Sequence, residues 1–231
     1  APKTYEFTIS LGISTNTDDA SGSVIKKSSY RPSTAEIETA ARSFVGFIKQ
    51  VPPNFSAIKV NGQRAYKIAR SGEKSFVLDE RTVWIKSLVL KNRIDDNLVT
   101  MEMTCGKGGY VRSIARDLGE KLGCFGHTVD LRRTKSGPFS LSDTISSESL
   151  FLEKEIKINS KVFPIQAVLS QLNQFECKEC EVQDLRNGKM IKFSKIDFNQ
   201  RTDTFVTFNS KPIAIGKTIG DGFYPKKVFV Y

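Results

Sequence analysis

Basic side chains with tyrosines among them are the most chemically suggestive feature of this sequence. The cations recur in three short segments, and the candidates for RNA contact among them are Lys59, Arg64, Lys67, Arg70, Lys107, Arg132, Arg133 and Lys135. Tyr66 and Tyr110 lie within the first two segments. Lysine and arginine bind phosphates, and an aromatic face can hold an unstacked base. The pattern favours a structured RNA as partner, although any one of these cations alone is more typical of a solvated surface.

Two of the four cysteines, Cys177 and Cys180, have the CxxC spacing of a zinc knuckle. A structural zinc site needs four ligands, and no second pair follows in the sequence. Only Cys105, Cys124 and His127 are left to complete such a site, and they lie far away along the chain. We therefore predict no metal site and interpret the four cysteines as reduced thiols.

A glycine turn at residues 106–109 separates a predicted strand from a predicted helix, where backbone amides and a helix N-terminus favour an anion. The turn matches neither a P-loop nor a dinucleotide fingerprint, so a phosphate contact and a tight packing turn both remain open. His127 is the only histidine and has no serine or cysteine nucleophile at a motif spacing nearby. This argues against a catalytic triad and for a structural role of His127.

Composition and charge limit the class of protein. The chain has 231 residues, of which 39% are hydrophobic and 26% charged, which is ordinary for a globular protein and unlike a disordered one. No stretch approaches the roughly 18 apolar residues of a membrane span, and the first residues lack the apolar run of a secretion signal. The 35 lysines and arginines exceed the 25 aspartates and glutamates, and the net charge of +10 favours a polyanionic partner. We expect a cytoplasmic chain without membrane contact.

The apolar pattern predicts two domains joined by a polar linker at residues 140–160. Residues 3–11 alternate as a half-buried strand, and apolar residues between 37 and 48 recur at helical spacing until two prolines end the helix. Further predicted elements are a short basic helix at 65–70, strands at 82–90 and 99–105, a helix at 111–122, a helix after Pro164, and strands at 205–208, 213–216 and 227–231.

Three segments, in this order, resemble the TruB family of tRNA pseudouridine synthases. They are residues 51–62, VPPNFSAIKVNG, followed by Ala65 and Tyr66; residues 105–119, CGKGGYVRSIARDLG; and residues 131–139, LRRTKSGPF. The strand that begins at Lys3 and the polar turn at 15–22 fit the segments that precede these in the family. The resemblance covers about residues 1–140.

The resemblance implies an α+β protein with the pseudouridine synthase fold, a mixed, largely antiparallel sheet flanked by helices. It implies a catalytic domain at 1–145 and, from a shorter match, a small PUA-like β domain at 160–231, whose candidates for added RNA contact are Lys189, Lys192, Lys226 and Lys227. The implied reaction converts uridine 55, in the T arm of tRNA, to pseudouridine by a monomer without cofactor or metal. The uridine is flipped from its loop, the bond from ribose to base nitrogen breaks, and the base rejoins through carbon.

The resemblance also assigns residues of the site. Tyr5 matches the tyrosine that stacks on the flipped base, although it also fits a core aromatic on an alternating strand, and both can hold together. Arg112 matches the arginine that pairs with the catalytic aspartate and keeps that carboxylate ionised. Tyr110 and Leu131 match positions that line the pocket.

The sequence departs from the family at the nucleophile. The family's catalytic aspartate lies in a Gly-x-Leu-Asp-Pro motif upstream of the strand with Tyr5, and the 231 residues contain no such string. Asp18 and Asp19 match the loop beyond Tyr5, so neither is assigned as the nucleophile. We expect the catalytic aspartate to come from a segment outside these residues. The alternative is a module of the same fold that binds or folds tRNA and has no catalytic activity.

We therefore predict that the 231-residue polypeptide alone has no synthase activity. When the purified chain is incubated with a T-arm stem-loop, the uridine should stay unconverted, because the attacking carboxylate is missing. Measurable conversion to pseudouridine would show that the nucleophile has been misplaced.

Overall fold

The computed structural model describes residues 1–71, 78–152, 162–193 and 198–229. The chain divides into two units, Ala1–Leu141 and Ser142–Tyr231. The domain bounds expected from the sequence, 1–145 and 160–231, stay a prediction. Residues 153–160 of the expected linker lie outside the described residues, and residues 147–152 before them form a helix.

The first unit contains ten strands and three α-helices within the described residues. The strands are β1 (Lys3–Leu11), β2 (Ile13–Thr15), β3 (Val24–Lys27), β4 (Gly46–Gln50), β5 (Lys59–Val60), β6 (Gln63–Arg64), β7 (Arg81–Arg93), β8 (Leu98–Cys105), β9 (Gly126–Ser136) and β10 (Phe139–Ser140). The helices are α1 (Thr34–Arg42), α2 (Ala65–Arg70) and α3 (Val111–Lys121).

Six of these strands form one antiparallel sheet in the order β10-β9-β1-β8-β7-β4. Because side chains alternate along a strand, β1 buries Phe7, Ile9 and Leu11 on one face, where they pack with residues of α1 and α3. We call this the core face. The opposite face, which carries Glu6 and Thr8 of β1, is the outer face. The predicted antiparallel sheet flanked by helices is confirmed.

Two β-bulges, at Val129 and Thr134, shift the register of β9 against β1. A bulge inserts one extra residue and so exchanges the faces to which the following side chains belong. Between the two bulges, Leu131 and Arg133 share the core face and Arg132 has the outer face, because their β1 partners alternate in the same way.

The helix predicted from the apolar spacing up to residue 48 is wrong in its second half. The helix α1 begins after Ser33, which forms the predicted capping box with Glu36, and it ends at Arg42. Gly46 has a φ of +107°, a conformation that side chains disfavour, and the chain then pairs with β7 as the edge strand β4. Ile48 packs against the core from this strand, so its helical spacing was coincidental.

The second unit is built on a five-stranded sheet. Its elements are α4 (Ser147–Leu152), α5 (Ile165–Leu169), β11 (Asn173–Glu176), α6 (Glu179–Arg186), β12 (Ile191–Lys192), β13 (Phe198–Phe208), β14 (Lys211–Gly220) and β15 (Gly222–Val228). The strand order is β11-β13-β14-β15-β12, with β11 parallel to β13. Leu185, Val206 and Phe223 lie in its core. The predicted C-terminal β domain is confirmed, although residues 230 and 231 of the last predicted strand lie outside the described residues.

No helix in the described part of the chain combines the length and the apolar character that crossing a bilayer requires.

A close backbone approach fixes α3 against the start of β9. A Cβ on Gly119 would lie 2.3 Å from the Gly126 nitrogen and 2.4 Å from the Phe125 carbonyl carbon, both backbone atoms. Gly119→Ala should therefore lower the free energy of unfolding by about 1–3 kcal/mol, the cost of overpacking, although alanine favours helices more than glycine does. Urea unfolding measures this, with Glu120→Ala on the exposed side of α3 as control. A Gly119→Ala protein as stable as the control would contradict the packing.

Candidate active site

The loop 16–22 between β2 and β3, which we call the aspartate loop, presents a carboxylate to α3. Asp19 Oδ1 accepts hydrogen bonds from Thr17 Oγ1 at 2.7 Å, from the Ser21 backbone N–H at 3.1 Å and from Ser21 Oγ at 2.5 Å. Asp19 Oδ2 accepts a hydrogen bond from Arg112 Nη1 at 3.0 Å. Both carboxylate oxygens are thus held in place.

Arg112, in the first turn of α3, joins the aspartate loop to a second loop. Its Nη2 donates to the carbonyl of Phe55 at 3.0 Å, and its Nη1 also reaches the carbonyl of Thr17 at 3.4 Å. Phe55 belongs to residues 51–58 between β4 and β5, which we call the proline loop. Because a guanidinium carries five donors in one plane, a single side chain fixes both loops against the helix.

A second ion pair repeats this arrangement one helical turn further along α3. Arg116 Nη1 lies 2.9 Å from Asp18 Oδ2, and its Nε lies 2.8 Å from Asp117 Oδ1. Its Nη2 donates to the Val51 carbonyl at 2.8 Å, which also accepts a hydrogen bond from Ser113 Oγ at 2.8 Å. Sequence reasoning missed this network. Two consecutive aspartates and two arginines four residues apart, which share a helix face, are the signal that it overlooked.

A cavity of about 340 Å³ opens beside Arg112. Its lining residues come from the aspartate loop, α3 and β9, and they are Asp19, Ala20, Ser21, Arg112, Thr128, Val129, Asp130 and Leu131. The Ala20 N–H donates to the Thr128 carbonyl at 2.9 Å and so anchors the loop on β9. The structure thus brings Arg112 and Leu131 together in the lining of this cavity. The Asp19 carboxylate joins the aspartate loop to α3 at the same place.

Tyr5 lies on the core face of β1, opposite Arg133 and two residues from Phe7, which pairs with Leu131. Its ring is partly buried and packs against the core, as the core-aromatic interpretation expects. Burial and the nearby Cys105 raise the pKa of its hydroxyl, against the lowering effect of Arg133. Tyr5 is not among the residues that line the cavity in the described part of the chain, and its stacking on a base stays a prediction.

Tyr110 precedes α3 and is held by the side chain of Gln50 at the end of β4. Gln50 Nε2 donates to the Tyr110 carbonyl at 3.1 Å, and the Tyr110 N–H donates to Gln50 Oε1 at 2.9 Å. Gln50 is 1% exposed, so both of its polar atoms find their partners in this one backbone unit. Sequence reasoning missed Gln50, a polar residue at a buried strand position just before two prolines. Tyr110, predicted to line the pocket, lies outside the described cavity lining.

The basic candidates for RNA contact fall on different surfaces. The hairpin β5–β6 and the helix α2 carry Lys59, Arg64, Lys67 and Arg70, all exposed. The Arg70 guanidinium lies 5.8 Å from the centroid of the Tyr66 ring, within range of a cation–π contact. The remaining candidates lie in the glycine turn and on β9, and they are Lys107, Arg132, Arg133 and Lys135. The bulges of β9 place Arg133 on the core face and Arg132 on the outer face.

Two of the four lysines predicted to bind RNA in the second unit have acidic partners. Lys189 Nζ lies 3.1 Å from Asp184 Oδ1, and Lys192 Nζ lies 3.5 Å from Asp221 Oδ2. All four side-chain atoms belong to largely exposed residues, so the pairs are screened by water and leave the cations accessible to phosphate.

The cysteines, the histidine and the glycine turn have structural surroundings. Cys105, Cys124 and Cys177 are buried free thiols, and Cys180 is exposed. Among the residues that the structure describes, no three metal-ligating side chains come together. His127 Nδ1 lies 3.0 Å from the Ile13 carbonyl, which agrees with a structural role.

In the glycine turn, a Cβ on Gly109 would lie 2.9 Å from Cys105 Sγ, and Gly108 has a φ of +94°. These two features support the packing interpretation of the turn, because a side chain would fit poorly at either position.

Folding shifts the pKa values of the two neighbouring aspartates in opposite directions. Partial burial tends to raise the pKa of Asp19, but hydrogen bonds from Ser21 and Thr17 and the Arg112 cation outweigh it and lower that pKa. Burial raises the pKa of Asp18, and Arg116 compensates only in part. Folding therefore favours the ionised form of Asp19 and disfavours the ionised form of Asp18.

This difference predicts opposite pH dependences. Asp19 contributes stability that is full above its unfolded pKa of about 3.9 and is lost as the pH falls through its lower folded value. The stability advantage of the wild type over Asp19→Asn should therefore shrink in acid. For Asp18→Asn, the matched control, the stability of the wild type relative to the variant should instead fall as the pH rises through the raised folded pKa. Urea unfolding, followed by the fluorescence of Trp84, measures both, and identical pH trends would contradict the assignment.

Two family models match the chain in succession. Residues 1–111 match the model described as TruB family pseudouridylate synthase (N terminal domain). Residues 112–170 match the model described as tRNA pseudouridylate synthase B C-terminal domain.

Curated proteins named tRNA pseudouridine synthase B are similar over nearly the whole chain. The protein from Ruegeria sp. (strain TM1040) is 44% identical over 99% of this chain and 76% of its own length. The protein from Cereibacter sphaeroides is 45% identical with the same coverage, and that from Ehrlichia ruminantium (strain Gardel) is 38% identical over 98% of this chain and 78% of its own.

Solved structures support the fold. A chain of a Cbf5-Nop10-Gar1 complex superposes with a TM-score of 0.68 at 20% identity, covering 100% of this chain and 67% of that one. A chain of an H/ACA RNP bound to a substrate RNA containing 2′-deoxyuridine gives a TM-score of 0.69 at 18% identity, with the same coverage. At this identity the likeness concerns the fold. The family models and the close relatives together show that this chain belongs to the TruB family of pseudouridylate synthases, enzymes that isomerise uridine to pseudouridine.

Proposed function

We propose that this chain forms the major part of an enzyme that converts uridine 55, in the T arm of tRNA, to pseudouridine. The observation that carries the proposal is the Arg112–Asp19 ion pair in the wall of a cavity that also contains Leu131. Relatives named tRNA pseudouridine synthase B, 38–45% identical over nearly the whole chain, support tRNA as the substrate.

The cavity is proposed to receive the base after it leaves its stack. Flipping a nucleotide costs a few kcal/mol, which contacts in the pocket must offset. Leu131 offers an apolar surface in the lining, and Tyr5, further along the same face of the sheet, is proposed to supply the aromatic contact. The pKa of Tyr5 lies above its usual value, so its hydroxyl stays neutral and the ring meets the base without a charge.

Arg112 is proposed to aim and ionise the attacking carboxylate. A guanidinium beside a carboxyl group stabilises the charged form and leaves the group ready to act as a nucleophile. Asp19 and the Phe55 carbonyl fix the direction of Arg112. Donors of the guanidinium remain for a second carboxylate, which we expect from the Gly-x-Leu-Asp-Pro motif outside these residues. Asp19 acts in this proposal as a positioning residue.

The reaction conserves every atom. The bond between ribose C1′ and base N1 breaks, the base turns, and a bond between C1′ and C5 forms. The C5 proton leaves, and N1 takes up a proton. No electron is gained or lost overall, so the proposed reaction needs no redox cofactor.

Exposed cations are proposed to bind the tRNA arm. The hairpin β5–β6 and α2 carry four of them, and each phosphate contact releases counterions, which makes binding weaken as salt increases. We propose that the protein acts as a monomer in the cytoplasm. The tRNA-binding module without catalysis is the competing function, since Arg112 already has a carboxylate partner within this chain.

The test uses the complete enzyme, with the upstream motif, and a T-arm stem-loop that carries [5-³H]uridine only at position 55. The wild type should release tritium, and Arg112→Ala should lower the rate roughly 100-fold or more, the scale of losing one electrostatic stabiliser, with little change in RNA affinity. Arg132→Ala, the matched control, should weaken binding and flatten its salt dependence.

Equal losses of rate and affinity in Arg112→Ala would contradict the role of Arg112. Normal RNA binding by the wild type without tritium release would instead favour the binding module.

A further inference from the structure

Two aromatic side chains lie exposed on the outer face of the first sheet. Phe47 of β4 and Trp84 of β7 are direct cross-strand partners, and they are 79% and 39% exposed. Ile48, next to Phe47, packs against the core, and Val83 and Ile85 on either side of Trp84 are buried in it. Both rings therefore belong to the face that α1 and α3 leave uncovered.

The position of Trp84 is fixed by the glycine turn. The Gly106 N–H donates to the Trp84 carbonyl at 2.8 Å. A Cβ on Gly106 would lie 3.7 Å from Cε3 of the indole, so the edge of the ring covers the glycine. Side chains of directly opposed strand residues have their Cβ atoms about 5 Å apart, so the two rings are neighbours on this face.

Three lysines lie close to these two rings along the chain. Lys49 lies two residues from Phe47 on the same face of β4, Lys86 is the extra residue of a β-bulge two residues after Trp84, and Lys107 follows Gly106. All three are exposed, and within the described ranges none of them forms a salt bridge. The acidic Glu102 on this face pairs with Val89, further along β7.

We propose that Phe47, Trp84 and these three lysines form a platform for unpaired nucleotides of an RNA, a binding site separate from the cavity beside Arg112. Aromatic rings stack on bases of any sequence, and lysines follow the phosphates between them. A second copy of this chain fits the surface less well, because a symmetric contact would bring identical lysines together. The proposal rests on the proposed function only in taking RNA as the partner.

The experiment uses Trp84 as the reporter, because it is the only tryptophan in the chain. The full chain is titrated with a single-stranded oligouridylate of about ten nucleotides at low salt, a length within the usual range for single-strand sites. The tryptophan emission should fall to a saturating value. Phe47→Ala should weaken this binding by about tenfold or more, the effect of losing one stacked base.

Val89→Ala is the matched control, since it removes another exposed apolar side chain from β7 without touching the platform. It should leave the titration unchanged. Lys49→Ala should lower the slope of log affinity against log salt by about 0.7, the loss of one phosphate contact to a single strand. Circular dichroism checks that each variant is folded.

Several results would overturn the platform: no change in emission, equal binding of duplex RNA, or equal effects of Phe47→Ala and Val89→Ala. If the Trp84 emission changes when the protein is diluted without RNA, the platform is instead covered by a second copy of this chain. The oligouridylate should still quench the Trp84 emission of the Arg112→Ala variant, because Arg112 lies outside the platform. If the complete enzyme releases no tritium but the oligouridylate still quenches Trp84, only the proposed function is contradicted. If tritium is released but Trp84 is not quenched, only the platform is contradicted.

Discussion

The candidate site depends on two arginines, one helical turn apart on α3, that hold two loops by charge. Arg112 and Arg116 are 24% and 20% exposed, so each guanidinium is largely removed from water and needs partners for its donors. Each finds one aspartate of the aspartate loop and one carbonyl of the proline loop. The loops contribute few apolar side chains of their own to the core, so these polar contacts decide where the wall of the cavity lies.

The sheet supplies the rigid support for this clamp. The helix α3 packs on the core face through Val111, Ile114 and Leu118, and its start is tied to the edge strand β4 by the Gln50 side chain. Gln50 therefore joins the edge strand β4 to the residue that precedes α3, the helix that carries Arg112. A buried amide that satisfies both the N–H and the C=O of one residue specifies a single position, because any shift leaves polar groups unpaired.

The sequence predicts the elements whose pattern is regular. Strands β1 and β8 and helix α3 follow from alternation and helical spacing, and the family motifs lead to Arg112 and Leu131. Strand β9 was not predicted, because its exposed cations mask the apolar alternation and its bulges break the period of two. The end of α1 was misplaced because Ile48 fits a helical spacing while it lies on a strand.

Pairings between distant residues were beyond sequence reasoning for a different reason. Asp19 and Arg112 are 93 positions apart, and Gln50 and Tyr110 are 60 apart. Spacing along the chain carries no information on such contacts, which arise only when β1, β9 and α3 come together. The roles of Tyr5 and Tyr110 remain predictions from the resemblance, since neither lines the cavity in the described residues.

The bulge at Val129 has a consequence for how this enzyme family can vary. A strand without that extra residue would move Leu131 to the outer face and Arg132 to the core face, so that a cation would replace an apolar side chain beside the cavity. Insertions and deletions are commonly tolerated at surface turns, but here a change of one residue in length would change the lining of a cavity. We therefore expect the length of this strand segment to vary less within the family than the identity of its exposed side chains.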